Sequence, residues 1–573
     1  MYIIAKDGTG DFTSLQQAVD FVPGGGQAPT ILLVRPGVYE ERVVVNKDNL
    51  RIIGEDRDRT VITARGCAKD LYPDGTEKGT FLSATFLVAG DNVEVENLTI
   101  RNDAGDGRQV GQAVAVYAAG DRGVWRNVRM IAHQDTLFCG PVQQTVLDEI
   151  APRRCRAEFA EAVNEPAHTQ GRQYFEDCFI QGDVDFIFGS YRCWFERCTL
   201  FMNARGGYYT AANTPEDQPH GFVFRNCKLT GECEAGKALL GRPWRRFART
   251  VFLDCEMDEC VAPQGFCDWD DIRVVTGRMG EYGTTGARAD QSARHPAQKR
   301  ITAEEAEGIT LQEVLGGWDQ WQPDRRVPTW FLCGDSTMAY YAPDRAPMMG
   351  WGQKLQTWLN MKGIHEYVED CAVNGRSSKS FIDEQRLAHI IPCLRPGDRM
   401  VVCFSHNDEK PDPARGTTPH GTFPEYMSMF IDAALKHGAE PILSTPIARR
   451  HFSDEGRLIP THGEFPDAIR DLAARRGVRL IDLEKATMRL VQEAGPEGSR
   501  QIYCHVPAGS EHYPDGLQDN SHLREEGASR IARLFLDRYL DSAFRDADFD
   551  AAGTDDCDDL IAREDSVYDK AQH

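Results

Sequence analysis

The stretch FEDCFIQGDVDFIFGSYRCWFERCTL, Phe175–Leu200, decides the fold of the first half of the chain. It carries one short pattern twice, as Asp177-Cys178-Phe179-Ile180 and as Arg197-Cys198-Thr199-Leu200. Each copy is a polar residue, then Cys or an aliphatic, then any residue, then an aliphatic. Moving outward, the pattern recurs at Asn97-Leu98-Thr99-Ile100, Asn127-Val128-Arg129-Met130, Asn226-Cys227-Lys228-Leu229 and Asp254-Cys255-Glu256-Met257. Counted between first positions in chain order, the offsets are 30, 50, 20, 29 and 28 residues. Short alternating strands at such a period predict coils stacked into a solenoid. A right-handed parallel β-helix satisfies the pattern. Cys178, Cys198, Cys227 and Cys255, or their neighbours, would then stack inward as small apolar fillers. A zinc cluster would need CxxC or HExxH spacing, so it is discounted. The step of 50 holds an apparent insertion, Cys139–Arg172. It reads either as an overhang or lid on a groove or as a surface loop.

Four segments inside the repeat region carry chemistry: GQAVAVY (Gly111–Tyr117), QDTLF (Gln134–Phe138), DFIFG (Asp185–Gly189) and GRPW (Gly241–Trp244). Together they supply two carboxylates, two side-chain amides, a guanidinium and an indole. That set suits the cleavage of an ester beside a sugar acid. In this order and spacing the four segments resemble the pectin methylesterases. The resemblance runs from Met1 to about Pro323 and includes AKDGTGDFTSLQQAV (Ala5–Val19), VRPGVYEERVVV (Val34–Val45) and ITAEEAEGITLQEVLGGWDQW (Ile301–Trp321). It implies Asp185 as nucleophile on the methyl ester of a galacturonate. Asp135 would be the acid for departing methanol and then the base for water. Gln112 and Gln134 would donate to the oxyanion, and Arg242 would keep Asp185 ionised and oriented. Trp244 would stack on a sugar ring, with Phe186 and Phe138 walling the groove.

After Trp321 the pattern changes. QPDRRVP (Gln322–Pro328) reads as a connector. Apolar strand candidates follow at Thr329–Cys333, Tyr367–Val373, Met400–Phe404, Pro441–Ser444 and Val478–Leu483, with helical stretches such as Phe381–Ile391 and Phe423–His437 between them and a last helix near Arg524–Leu540. Five strands with helical crossovers predict a parallel sheet covered on both faces. Ligands of such sheets lie at the carboxyl ends of the strands. There the chain places GDS (Gly334–Ser336), NGRS (Asn374–Ser377) and SHND (Ser405–Asp408), with DNSHL (Asp519–Leu523) before the last helix.

This set resembles the SGNH (GDSL) hydrolases, and its GRS and DxxHL forms resemble rhamnogalacturonan acetylesterases among them. The resemblance implies a flavodoxin-like α/β/α domain. Ser336 would be the nucleophile, His522 its base and Asp519 the group that orients the imidazole. The N–H groups of Ser336 and Gly375 and the Asn407 side chain would form the oxyanion hole. Ser405 departs from the glycine common at that position. No GxSxG elbow surrounds Ser336, which weighs against an α/β-hydrolase.

The expected architecture is thus a β-helix domain over 1–324, an SGNH domain over 325–545 and an acidic tail over 546–573. The expected function is a bifunctional carbohydrate esterase releasing methanol and acetate from pectic saccharides. The alternative is a pectin-binding β-helix joined to a lipase- or thioesterase-type SGNH domain. The 573 residues suffice for two domains, and the net charge of −23 argues against nucleic acid and anionic membranes as partners,. Neither mechanism calls for a metal or organic cofactor. The expected partner is a pectic polysaccharide or oligosaccharide, with oligomeric state open. The opening MYIIAKDGTGDF has no basic n-region or apolar h-region. An odd count of 17 cysteines leaves at least one unpaired. These features favour a reducing, cytoplasmic setting, or secretion if a leader precedes this sequence.

Overall fold

The computed structural model describes residues 1–541, apart from 25, 27, 144–145, 147–170 and 276–277. Most of the 139–172 insertion and the 546–573 tail therefore lie outside the described residues. The chain divides into two compact units, Met1–Val327 and Pro328–His573.

The first unit is a parallel β-helix built from three sheets of eleven, seven and eight strands. One coil illustrates the plan. Arg172–Glu176 belongs to the eleven-stranded sheet, Phe179–Gly182 to the eight-stranded sheet and Ile187–Gly189 to the seven-stranded sheet. The sequence repeat is the corner between the first two. Its first residues, Asn97, Asn127, Asp177, Arg197, Asn226 and Asp254, all hold φ between 51° and 58°. Asn and Asp tolerate this left-handed conformation best among residues with a side chain. The third residues pair in register from coil to coil: Thr99 with Arg129, Arg129 with Phe179, Phe179 with Thr199, Thr199 with Lys228 and Lys228 with Glu256. Each sequence offset is therefore one turn of the helix. The second residues, including Cys178, Cys198, Cys227 and Cys255, are at most 1 % exposed and line one core with the aliphatic fourth residues. Phe175, Phe195, Phe224 and Phe252 stack through that core at centroid spacings of 4.3–4.6 Å.

The second unit holds a five-stranded parallel sheet in the order Tyr367–Asp370, Thr329–Gly334, Arg399–Cys403, Glu440–Ser444, Arg479–Ile481. All four pairings are parallel. The first strand in the chain is second in the sheet, which creates the switch point where doubly wound folds bind ligands. Helices Gly352–Met361 and Glu525–Leu540 pack on one another, and Phe535 of the second meets Trp330 of the sheet at 6.3 Å. The stretch Phe381–Ile391, expected as one helix, is two, because Gln385 turns left-handed at φ 61°. An antiparallel pair, Tyr503–Val506 with Leu517–Leu523, brings DNSHL up as a strand.

Candidate active sites

The four chemical segments of the first unit ride on one sheet. Val116–Ala118, Leu137–Cys139, Ile187–Gly189, Gly207–Ala212 and Ala238–Gly241 are consecutive strands of the seven-stranded sheet. Leu137 pairs with Ile187, so Asp135 and Asp185 occupy equivalent places on neighbouring coils. Neighbouring strands lie about 4.8 Å apart. Both aspartates turn left-handed, at φ 67° and 51°, just before their strands, and the Asp135 N–H donates to the Val184 carbonyl at 3.0 Å. Both carboxyls are buried, at 8 % and 7 % exposure.

Two like side chains in one dry site must be told apart by their surroundings, and a guanidinium does this. Arg242 donates Nε to Asp185 Oδ1 at 2.9 Å and Nη2 to Oδ2 at 2.6 Å. Its guanidinium is held between the rings of Tyr208 at 4.1 Å and Trp269 at 3.7 Å. Burial pushes the Asp185 pKa up, and the Arg242 fork opposes that rise,. Burial, reinforced by the Asp185 charge, holds Asp135 well above the usual carboxylate range. Asp135 therefore takes a proton first, and the negative charge resides on Asp185. The Gln134 side chain partly opposes the rise at Asp135, and the Gln134 backbone carbonyl accepts the Ala113 N–H at 3.1 Å. Gln112 is half-buried on that neighbouring coil.

The aromatic wall is corrected. Phe186 is fully buried in the coil interior, packed on Tyr209, so it does not line the groove. The left-handed turn at Asp185 shifts the alternation, and Phe188 is the outward ring. It meets Trp244 at 5.8 Å. Phe138 is on the same outer face, but Phe81 covers it at 4.9 Å and leaves it 2 % exposed. Tyr208 and Trp269 were missed from sequence. Tyr208 sits on the strand between DFIFG and GRPW, so that gap was a usable signal. Trp269 comes from a later loop and had none. Also missed was Asp183, 1 % exposed, which holds the His133 Nδ1 at 3.2 Å and lies within reach of Arg205.

In the second unit GDS follows the Thr329–Gly334 strand, and the buried Asp335 side chain caps the turn by accepting the Thr337 N–H at 2.9 Å. This presents Ser336. Its Oγ is 2.9 Å from His522 Nε2, and His522 Nδ1 is 2.6 Å from Asp519 Oδ2. Burial alone would raise the Asp519 pKa, but hydrogen bonds from the His522 ring and backbone hold it at about 2,. Gly375 turns the chain at φ 77°, a conformation glycine takes without penalty,. Asn407 is 3 % exposed; its Nδ2 donates to the Arg376 carbonyl at 3.0 Å and its Oδ1 accepts from Lys410 at 2.7 Å. An amide nitrogen carries two donors, so a second N–H remains on Nδ2. Next to it, the Ser405 hydroxyl donates to Glu409 at 2.6 Å, and Glu409 also holds Arg449 at 2.8 Å and His462. The serine that departs from glycine is thus the anchor of an ion cluster, and nothing in its sequence neighbourhood signalled that cluster. Asp408 is buried under Ser378; burial pushes its pKa up to about 7, against the lowering effect of Ser378.

The chain was compared with known families and proteins. The Pectinesterase family model matches residues 1–148 and 161–318, and the GDSL-like Lipase/Acylhydrolase model matches residues 332–530. Rhamnogalacturonan acetylesterase RhgT of Bacillus subtilis is 40 % identical over 205 residues, covering 36 % of this chain and 86 % of that protein. Pectinesterase QRT1 of Arabidopsis thaliana is 31 % identical over 328 residues, covering 56 % and 78 %. Probable pectinesterase/pectinesterase inhibitor 23 of the same plant is 30 % identical over 342 residues, covering 57 % of this chain; the chain spans about half of that protein, 54 %. The chain accordingly belongs to the pectinesterase family through its β-helix and joins to it a GDSL-like acylhydrolase related to a rhamnogalacturonan acetylesterase, which makes it a carboxylic ester hydrolase.

Proposed function

We propose that the protein is a bifunctional esterase of pectic saccharides, releasing methanol from galacturonate methyl esters in its first unit and acetate from acetylated sugars in its second. The observation that carries the first half is the pair of in-register carboxyls of which only Asp185 receives the Arg242 fork. Asp185 attacks the ester carbonyl, using a lone pair that its bonds to Arg242 leave over. Gln112 and Gln134 donate to the oxyanion, each such donor being worth about 3 kcal/mol of barrier. Asp135, holding its proton, gives it to the departing methoxide. The resulting anhydride is cleaved by a water that Asp135, now a carboxylate, deprotonates. Trp244, backed by the buried Phe188, offers the apolar face for a sugar ring.

The second half is supported by the continuous chain from Ser336 through His522 to Asp519. Ser336 Oγ attacks the acetyl carbonyl, and its proton passes to His522 Nε2. Asp519 keeps the imidazole in the tautomer that can accept it. Ser336 and Gly375 N–H groups and Asn407 Nδ2 take the oxyanion. The rhamnogalacturonan-type substrate is proposed from the named relative. One purpose for the fusion is that acetyl groups obstruct the groove that reads the methyl esters. We further propose a reducing, cytoplasmic setting, in which the buried cysteine stack stays as thiols.

The decisive assay measures methanol and acetate together on methylated, acetylated pectic oligosaccharides. Release of both supports the reading. Release of acetate from simple acyl thioesters but not from the saccharides would replace its second half.

A further inference from the structure

Asn407 and Asp408 are followed by a pair of opposite charges, Glu409 and Lys410, in the turn beyond the strand Arg399–Cys403. The turn winds helically: the Glu409 N–H donates to the Ser405 carbonyl at 3.1 Å and the Lys410 N–H to the Asn407 carbonyl at 3.3 Å. Residues three apart on such a winding share a face, which sets Lys410 beside Asn407. Glu409 is engaged elsewhere, by Ser405 Oγ at 2.6 Å, Arg449 at 2.8 Å and His462. The Lys410 ammonium instead donates to Asn407 Oδ1 at 2.7 Å.

That bond decides how the amide is oriented. One end of an Asn side chain only accepts and the other only donates, and a half-turn about the last bond exchanges them. Both partners of Asn407 reject the exchange. The Arg376 carbonyl, 3.0 Å from Nδ2, has no hydrogen to give, and the Lys410 ammonium has no lone pair to take an N–H,. The direction of the remaining Nδ2 hydrogen is thereby fixed. The cation also draws electron density toward Oδ1, and a polarised amide is a stronger donor at its nitrogen. Asn407 is 3 % exposed, so water damps this effect little,. The Lys410 charge is felt at the neighbouring residue as well: burial first, and then His462, Arg449, His522 and Lys410, hold the His406 pKa well below the usual imidazole range.

We propose that Lys410 is a positioning residue of the second site: its ammonium holds the Asn407 amide with the free Nδ2 hydrogen presented to the acyl oxygen, and strengthens that donor as negative charge develops there. The inference rests on the assignment of Asn407 to the oxyanion hole and adds to it a residue outside the SHND segment. The acyl oxygen carries more charge in the transition state than in the bound ester, so the benefit is greatest there. It belongs in kcat and leaves KM nearly unchanged.

Hydrolysis of para-nitrophenyl acetate by the full chain, less the rate of Ser336→Ala, tests this without any sugar contact. Lys410→Met should lower kcat about tenfold with KM within about twofold. Lys410→Arg supplies another cation without an acceptor and should bring kcat back to within about threefold of the starting protein. Asn407→Ala should cost about 10²-fold, as loss of one oxyanion donor does. Adding Lys410→Met to Asn407→Ala should change the rate by less than about twofold more, because the amide through which Lys410 acts is gone. Misfolding would instead deepen the loss with each substitution. Losses that multiply, an effect carried mainly by KM, or full activity in Lys410→Met would overturn the inference while Asn407→Ala stays slow. If Asn407→Ala itself hydrolyses at the undiminished rate, the oxyanion-hole reading falls, and the role of Lys410 with it.

Discussion

The two sites solve the same problem with opposite materials. In the β-helix the reacting groups are two copies of one side chain, placed on consecutive rungs by strand register. Their difference is imposed from outside, by one arginine clamped between two rings. In the second unit three different side chains stand on one turn, after Thr329–Gly334, and one strand, Leu517–Leu523, and the hydrogen bonds among them set the geometry. A register-built site is rigid but chemically degenerate, and so depends on its second layer. A loop-built site carries its differentiation in its own residues.

The largest expected effect breaks each site alone. Ser336→Ala should cut acetate release by about 10⁶-fold, as nucleophile removal does in comparable triads. Asp185→Asn should cut methanol release by about 10⁴-fold or more. Each should leave the other product within about twofold. The measurement is paired product assays on one substrate, and a variant that loses both products would end the claim of two independent sites.

The next effects separate the two designs. Asp519→Asn should lower acetate release by about 10⁴-fold, because the imidazole then favours the wrong tautomer. Arg242→Lys keeps a positive charge but loses the fork and the stacking. It should cost about 10²-fold in methanol release, in line with loss of one preorganised electrostatic contact. It should also alter the pH profile. Burial pushes Asp185 up and Arg242 opposes this, so weakening the opposition raises its pKa further. The nucleophile must be ionised, so the acid limb of the methanol profile should move to higher pH. An unmoved limb would mean that Arg242 does not set the charge on Asp185.

Much of this was legible in the sequence because strand register in a β-helix is written as residue spacing. The offsets from Asn97 to Asp254 are the coil lengths themselves. Cys198 reads as a filler and is one. Ser336 was legible because strand ends define where a parallel sheet does its chemistry, and Asp519 and His522 because of the DxxHL form before the last helix, although they lie on an antiparallel strand outside that sheet. Phe186 was misplaced because the resemblance names a groove aromatic without fixing which way its ring points after the left-handed turn at Asp185. Trp269 was invisible because a loop arriving from 84 positions beyond Asp185 follows no period (185 to 269). The Glu409 cluster depended on side-chain contacts between separate loops, Ser405 and Arg449 among them, which spacing does not encode.

Stability should show the same division, at smaller magnitude. Asp519 is held at about 2 in the fold, below the ordinary value of about 3.9,. A lowered carboxyl stabilises the fold above its unfolded pKa and loses that contribution as pH falls through the folded one. The second unit should therefore lose about 2 kcal/mol between pH 4 and pH 2 from this group, and Asp519→Asn should remove that slope. Denaturant unfolding at several pH values, followed in each unit, reads it.

The smallest effect probes the repeated corner of the β-helix. Asn127 and Arg197 occupy equivalent corners with the same φ of 51°. Asn127→Val places a β-branched residue in the left-handed region and removes the bond from Nδ2 to Asn97 at 2.8 Å. It should cost about 2 kcal/mol. Arg197 is the one first-position residue that is neither Asn nor Asp. It holds Glu176 at 2.6 Å and Asp177 at 3.0 Å, but its side chain is 49 % exposed. Exposed pairs are worth little, about 0.2–1 kcal/mol. Replacing it by Asn gives up those pairs and gains a residue at ease in the conformation. The two terms are similar, so Arg197→Asn should change stability by less than about 1 kcal/mol, on the stabilising side at high salt, where the pairs are screened. If it were instead as damaging as Asn127→Val, the corner would be held by its ion pairs rather than by its backbone. The first unit would then rely on side-chain networks as the second does, and the contrast between them would narrow to the active sites.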